Sequence, residues 1–219
     1  MSPLLSRPAI ITALALVIAS CGGPATTAYT SAAPGAASAT WSFDGDAAGN
    51  PPAGSEAFAG QWVVRAETDT PSKPNALCQV ASATYPAIAL SSTVYADLTV
   101  TVRFEPISGK DDQAAGIIFR IQDKGDYYIL RANALEGNVN FYKYAGGSRS
   151  DIKDGTGKAV AGQWQELKVE ATGDRLRGFL NGALVVETTD TTYKAGRVGL
   201  WTKADSVTCF DDMIVKPAG

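Results

Sequence analysis

Val94-Tyr95-Ala96-Asp97-Leu98-Thr99-Val100-Thr101-Val102-Arg103-Phe104-Glu105 alternates in character along its whole length. The even positions Val94, Ala96, Leu98, Val100, Val102 and Phe104 are apolar, and the odd ones include Asp97, Thr99, Thr101, Arg103 and Glu105. Successive side chains of a strand point to opposite faces, so this pattern predicts a long strand with one dry face and one wet face. Further β-like runs lie near 62–67, 76–82, 115–122, 126–133, 138–145, 165–171, 174–180, 183–188, 196–203 and 206–215. Turn chemistry separates them. Asn181-Gly182, between Leu176–Leu180 and Leu184–Glu187, is a two-residue type I′ signal. Thr172-Gly173-Asp174 and Glu136-Gly137-Asn138 are weaker signals of that kind. No internal repeat is visible, and helical periodicity is absent beyond the N-terminal apolar stretch. So many short strands in one domain, residues 41–219, predict an all-β, two-sheet antiparallel sandwich.

Upstream of Trp41 the composition changes. Residues 22–40 are almost entirely Ala, Thr, Ser, Gly and Pro, with Tyr29 the single aromatic and no charge. Such a segment buries too little apolar surface to offset its ordering entropy and reads as a tether. Before it, Arg7 is the only charged side chain ahead of Cys21, and Pro8 to Ile18 is an apolar run of signal-peptide length, too short to span a bilayer. Ile18-Ala19-Ser20-Cys21 resembles the lipobox of bacterial lipoproteins. That resemblance implies cleavage of residues 1–20, lipidation of Cys21, and membrane anchoring of a tether spanning 21–40. Gly22 after the cysteine, rather than Asp, implies sorting to the outer membrane of the bacterial cell envelope. An ordinary secretory signal is the alternative.

The full chain has 219 residues and a formal net charge of −3. No basic patch stands out, which argues against a nucleic-acid partner. There is no histidine, so His-dependent triads and histidine pH switches are excluded. No CxxC pair, P-loop or GxGxxG string is present. Of three cysteines, the lipobox accounts for Cys21. Cys78 and Cys209 form an even pair in an oxidising compartment, and a disulfide between them is expected. Two separate buried thiols are the other reading, since each lies in an apolar run.

Several strings are more specific. They are Asp112-Gln113-Ala114-Ala115-Gly116-Ile117-Ile118-Phe119-Arg120, Asp126-Tyr127-Tyr128-Ile129-Leu130-Arg131-Ala132-Asn133 and Gly137-Asn138-Val139-Asn140-Phe141-Tyr142. Gly196-Arg197-Val198-Gly199-Leu200-Trp201-Thr202-Lys203 is another, with Phe210-Asp211-Asp212 closing the set. Together they resemble the concanavalin-A-like, laminin-G-like jelly rolls labelled 3-keto-disaccharide hydrolase or family 16 glycoside hydrolase-like. The likeness covers about 41–215 and implies the jelly-roll fold and a carbohydrate partner. Family 16 hydrolases carry Glu-x-Asp-x-Glu on one strand, which sets nucleophile and acid on one face. This chain lacks that string: Glu166 and Glu170 bracket Lys168 instead.

Parity then nominates site residues. In 115–122, Ile117, Phe119 and Ile121 are the apolar set, which leaves Arg120 outside; Tyr127, Arg131 and Asn133 oppose Tyr128, Leu130 and Ala132; Asn140 and Tyr142 oppose Val139 and Phe141. Arg120, Tyr127, Arg131, Asn133, Asn140 and Tyr142 are expected side by side, a mixture of rings, guanidinium and amide groups suited to sugar. Trp201 and Lys203 are the expected edge of that face. Glu136, with Asp205 as its partner, is the candidate acid–base pair. Asp44 with Asp211 and Asp212, from the first and last strands, is a candidate ligand set for a structural calcium; no other cofactor is expected. Three functions follow: a non-catalytic glycan-binding lipoprotein, a carboxylate-dependent hydrolase of a keto-disaccharide or other glycan, and an envelope structural protein.

Overall fold

A computed structural model describes residues 36–218, and these form two antiparallel sheets packed face to face, with no helix among them. The fold is the two-sheet sandwich expected from the alternation, and the jelly roll that the family resemblance implies. The first sheet holds β1 (Ala39–Trp41), β3 (Trp62–Ala66), β4 (Asn75–Gln79), β6 (Leu98–Ser108), β11 (Gln165–Thr172), β12 (Arg175–Leu180), β13 (Ala183–Thr189) and β15 (Val207–Pro217). Its order is β13-β12-β11-β6-β15-β4-β3, with β1 also on β15. The second sheet holds β2 (Glu56–Ala59), β5 (Ala87–Ala89), β7 (Ala114–Asp123), β8 (Asp126–Asn133), β9 (Asn138–Ala145), β10 (Ser148–Lys153) and β14 (Arg197–Trp201). Its order is β10-β9-β8-β7-β14-β5-β2.

Leu98, Val100, Val102 and Phe104 of β6 are fully buried and meet Ile117, Phe119, Leu130 and Phe141 from the facing sheet. Burying each such side chain contributes about 1.5–3 kcal/mol, so this interdigitation is the main source of stability. The long alternating run divides at Asp97. From Leu98 onward parity holds, but Tyr95 is buried and Val94 half-exposed. The reason is that Tyr95 leaves the first sheet and bridges Gly196 of the second. Cys78 and Cys209 are direct cross-strand neighbours on β4 and β15, and they form the expected disulfide, Cα atoms 4.0 Å apart.

The lipobox, Cys21 and the tether up to residue 35 lie outside the described residues. The domain itself is already under way before Trp41: β1 starts at Ala39, and the Tyr95 hydroxyl donates to the Ala37 carbonyl at 3.2 Å. This entry point lies at the end of the sandwich that carries Leu98, Pro217 and Arg197.

Candidate functional site

The outer face of the second sheet has its own apolar cluster. Trp201, Tyr127, Tyr142, Ile118, Ile121 and Ile129 are buried there, with Phe58, Tyr85 and Tyr144 packed on them. The floor is built from small residues on the central strands: Ala87, Ala89, Ala114, Gly116 and Gly199. A Cβ at Gly116 would stand 3.3 Å from Trp201, and one at Gly199 only 2.0 Å from the Ile88 carbonyl oxygen. Floor residues without bulk leave a trough, and aromatic rings from both flanks fold over it. Tyr127 and Phe58 sit on strands four spacings apart, about 19 Å along a flat sheet. Their ring centroids are nonetheless 6.4 Å apart. Tyr85 likewise stacks on Trp201 at 5.7 Å and meets Tyr144 edge-on at 5.8 Å. Burial pushes the Tyr127 hydroxyl well above its ordinary value, with Tyr144 and Tyr85 adding to the rise, so it stays neutral.

Cations line one flank of this roof. The Arg149 guanidinium lies 4.4 Å from the Tyr142 ring centroid and 5.3 Å from that of Tyr85. Arg131, only 1% exposed, lies 5.0 Å from the same Tyr142 ring on its way to the end of the sheet. There Arg131 Nη2 donates to Glu136 Oε2 and to Asn138 Oδ1, both at 2.6 Å. Lys203 Nζ stands between Asp112 (2.8 Å) and Glu136 (3.7 Å). Beside Lys203 opens a cavity of about 490 Å³, bounded by Ser82, Thr84, Tyr85 and Ala204. The Lys203 ammonium and the Tyr85 ring thus share the lining of a ligand-sized space.

A family model described as the 3-keto-alpha-glucoside-1,2-lyase-like domain matches residues 41–216. The chain belongs to that family. Levanase of Bacillus subtilis (strain 168) is 29% identical over 112 residues, which is 51% of this chain and 16% of levanase. The carbohydrate binding module CBM66 from Bacillus subtilis superposes with a TM-score of 0.62 at 24% identity, over 73% of this chain and 93% of that module. The Crh5 transglycosylase in complex with NAG gives 0.55 at 12% identity, over 84% and 85% of the two chains. At such identities these two structures establish the shared fold.

Within this lyase-like domain the nominated residues divide. Tyr127, Arg131, Asn133, Asn140, Tyr142 and Trp201 do share the outer face of the second sheet, on the neighbouring strands β8 and β9 and on β14, which β7 separates from β8. They are not an exposed surface: exposure ranges from 0% for Trp201 and Asn133 to 6% for Asn140. Asn133 is committed to the turn, donating to Asp112 Oδ1 and accepting from the Leu135 and Glu136 amides. Asn140 bonds the Tyr142 hydroxyl, Asp154 and the Gly155 amide. Arg120 is not on the face. It sits at a bulge with φ 50°, and its guanidinium turns inward to the carbonyls of Ala96 (3.2 Å) and Tyr193 (2.9 Å) and to Asp97. The same bulge moves Ile121 from the core to the outer cluster.

Asp205 does not pair with Glu136. Its carboxylate accepts the amides of Lys110, Asp111 and Asp112 at 2.6–3.2 Å, and these hydrogen bonds hold its pKa below the ordinary range. Glu136 feels burial, which raises its pKa, but Arg131, Asn138 and Lys203 outweigh it and the net shift is downward. Asp112, flanking Lys203 opposite Glu136, was not singled out from sequence, nor were Tyr85 and Arg149. All three lie outside runs with an apolar period.

The proposed calcium ligands do not converge. Asp44 Oδ1 accepts the Asn75 amide, and Asp211 accepts from Ser72 and Asp212. Asp212 sits at a bulge with φ 45°. Among the described residues, the group of acidic and sulfur atoms within 4.8 Å of one another is Glu67, Cys78 and Cys209, and its sulfurs are spent in the disulfide.

Proposed function

We propose that this chain is a lipid-anchored, non-catalytic carbohydrate-recognition domain of the bacterial cell envelope, taking a glycan at the Tyr85–Lys203 cavity. The observation that carries the reading is Lys203: its ammonium, held by Asp112 at 2.8 Å with Glu136 at 3.7 Å, lines the cavity together with the Tyr85 ring. Groups already held in place lose little freedom on binding, and rings with fixed polar atoms suit a sugar's C–H faces and hydroxyls. Family membership and the names of the two carbohydrate-related relatives support the ligand class.

The anchor fits the same picture. The chain enters the sandwich at the end opposite Glu136 and Lys203, so a domain tethered through Cys21 would present that cavity away from the membrane. Metabolic labelling with palmitate tests the anchor: label should enter the full-length chain and be lost in Cys21→Ser. A labelled Cys21→Ser protein would refute the lipobox.

The hydrolase or lyase reading has one observation in its favour, two carboxylates flanking the Lys203 ammonium. A general acid near neutral pH needs a raised pKa, however, and Glu136 is shifted the other way. Affinity electrophoresis of the full-length chain against levan, dextran, starch and charged polysaccharides decides between these readings. Retardation without release of reducing sugar supports recognition. Steady product formation that Glu136→Gln abolishes would replace it with catalysis.

A further inference from the structure

A second and larger cavity, of about 800 Å³, opens at the other end of the aromatic roof, with Glu56, Asp123, Asp126, Gly146 and Arg197 on its walls. It is ligand-sized in its own right. Several of its polar groups are engaged: Arg197 Nη1 donates to Glu56 at 2.7 Å, Asp123 accepts the Gly125 amide, and Asp126 Oδ1 accepts the Tyr193 hydroxyl and the Gly146 amide. Arg197 Nε is buried and has no partner among the described residues.

The two cavities are joined by an unbroken series of ring contacts. Trp201 meets Tyr85 at 5.7 Å, Tyr85 meets Tyr144 at 5.8 Å, Tyr144 meets Tyr127 at 5.0 Å, and Tyr127 meets Phe58 at 6.4 Å. The series ends where the Arg197 guanidinium lies 5.7 Å from the Phe58 ring centroid. Trp201 and Tyr127 form the lower layer, and Tyr85, Tyr144 and Phe58 stay half-exposed above them. The span is set by β8, which starts at Asp126 in the second cavity and ends at Asn133 beside the first cluster. Eight extended residues cover about 23 Å, far more than a disaccharide reaches.

We infer that the chain binds an oligosaccharide of several units across two subsites, one at Lys203 and one at Arg197, with the sugar chain lying along the Tyr85–Tyr144–Phe58 ridge. This inference rests on the glycan reading above. The lining of the Arg197 cavity combines acidic oxygens with cationic and amide hydrogens, which matches hydroxyl groups that both donate and accept.

Titration calorimetry with two size series, fructo-oligosaccharides and α-linked gluco-oligosaccharides from disaccharide to octasaccharide, tests it on the full-length chain. Affinity in the recognised series should rise at least tenfold with length. Arg197→Ala and Phe58→Leu should bring the longest member down to disaccharide affinity without changing disaccharide binding. Tyr85→Ala should weaken every member. Unchanged thermal melting of Arg197→Ala and Phe58→Leu separates lost contacts from lost fold. Affinity independent of length, with Tyr85→Ala still harmful, would overturn the second subsite and leave the glycan reading standing. No binding by either series, together with a blank polysaccharide panel, would overturn both.

Discussion

Arg131 and Glu136 form an asymmetric pair: the cation's side chain is 1% exposed and the anion's 40%, with their nearest atoms 2.6 Å apart. A buried guanidinium that loses its counter-ion keeps its desolvation cost, whereas a half-exposed carboxylate that loses its partner returns to water. The two truncations should therefore differ. Glu136→Ala is expected to destabilise by about 1–3 kcal/mol, less than the loss of a fully buried pair. Arg131→Met, which fills space without charge beneath Tyr142, should cost less than Glu136→Ala. Urea denaturation of both variants measures this, and the reverse order would mean that Arg131 draws its support from Asn138 and Tyr142 alone.

Tyr142 shares the outer face of the second sheet, as parity expects, yet it is not a surface ring. At 4% exposure, with Arg131 and Arg149 against its ring, it belongs to the second cluster. Removing a buried aromatic leaves a cavity, so a loss of about 3 kcal/mol or more is expected. Tyr142→Phe loses only the hydroxyl that accepts from Asn140 at 3.1 Å and should cost about 1 kcal/mol. A Tyr142→Ala protein that melts like the wild type would contradict this burial. Tyr85→Ala, at a half-exposed position, is the cleaner test of sugar binding.

That reversal marks the limit of what periodicity conveys. β8 and β9 match their expected spans because bulky apolar residues alternate through both. β5, Ala-Ile-Ala, is too short and too small to carry a pattern, and β10 has no apolar alternation. Parity correctly separated the Leu130 side from the Arg131 side, but facing away from the main core is not the same as facing water. The trough over Gly116, Gly199 and Ala89 exists because strands distant in sequence place small residues together, and Phe58 and Tyr85 close it from elements without a strand signature. The inward turn of Arg120 depends on one positive φ, which local sequence does not reveal.

The Cys78–Cys209 bridge closes a separation of 131 residues between the adjacent strands β4 and β15 of the first sheet. On the chain-entropy account, whose mechanism is disputed, such a loop is worth about 4–5 kcal/mol. The Cys78→Ala, Cys209→Ala double variant should lose about 2–5 kcal/mol in urea denaturation, with the same loss in wild type after full reduction. Peptide mapping without reductant should recover the two cysteines in one linked species. Recovery of both as free thiols from protein made in an oxidising compartment would remove the bridge.

Asp211 predicts a pH dependence of unusual sign. Its carboxylate is fully buried, and it accepts the Ser72 amide at 2.8 Å, the Ser72 hydroxyl at 2.9 Å and the Asp212 amide at 2.7 Å. Burial raises its pKa from 3.8 to about 6; the hydrogen bonds from Ser72 and Asp212 oppose the shift, and the charge of Asp212 adds to it. A folded pKa above the unfolded one means that the native state holds its proton longer. Stability contributed by this group is therefore complete below the unfolded pKa and declines as pH rises from about 4 to about 6. The decline is on the order of 2–3 kcal/mol, levelling off above that window. Glu136 and Asp190 act with the opposite sign, because their folded values are depressed, Asp190 to about 2, and they cost stability only in stronger acid. Urea midpoints measured from pH 4 to pH 7 should fall in the wild type, and Asp211→Asn, which keeps the shape and stays neutral, should flatten the curve. Parallel curves for the two proteins would show that Asp211 is ionised throughout and that Ser72 and Asp212 compensate its burial in full.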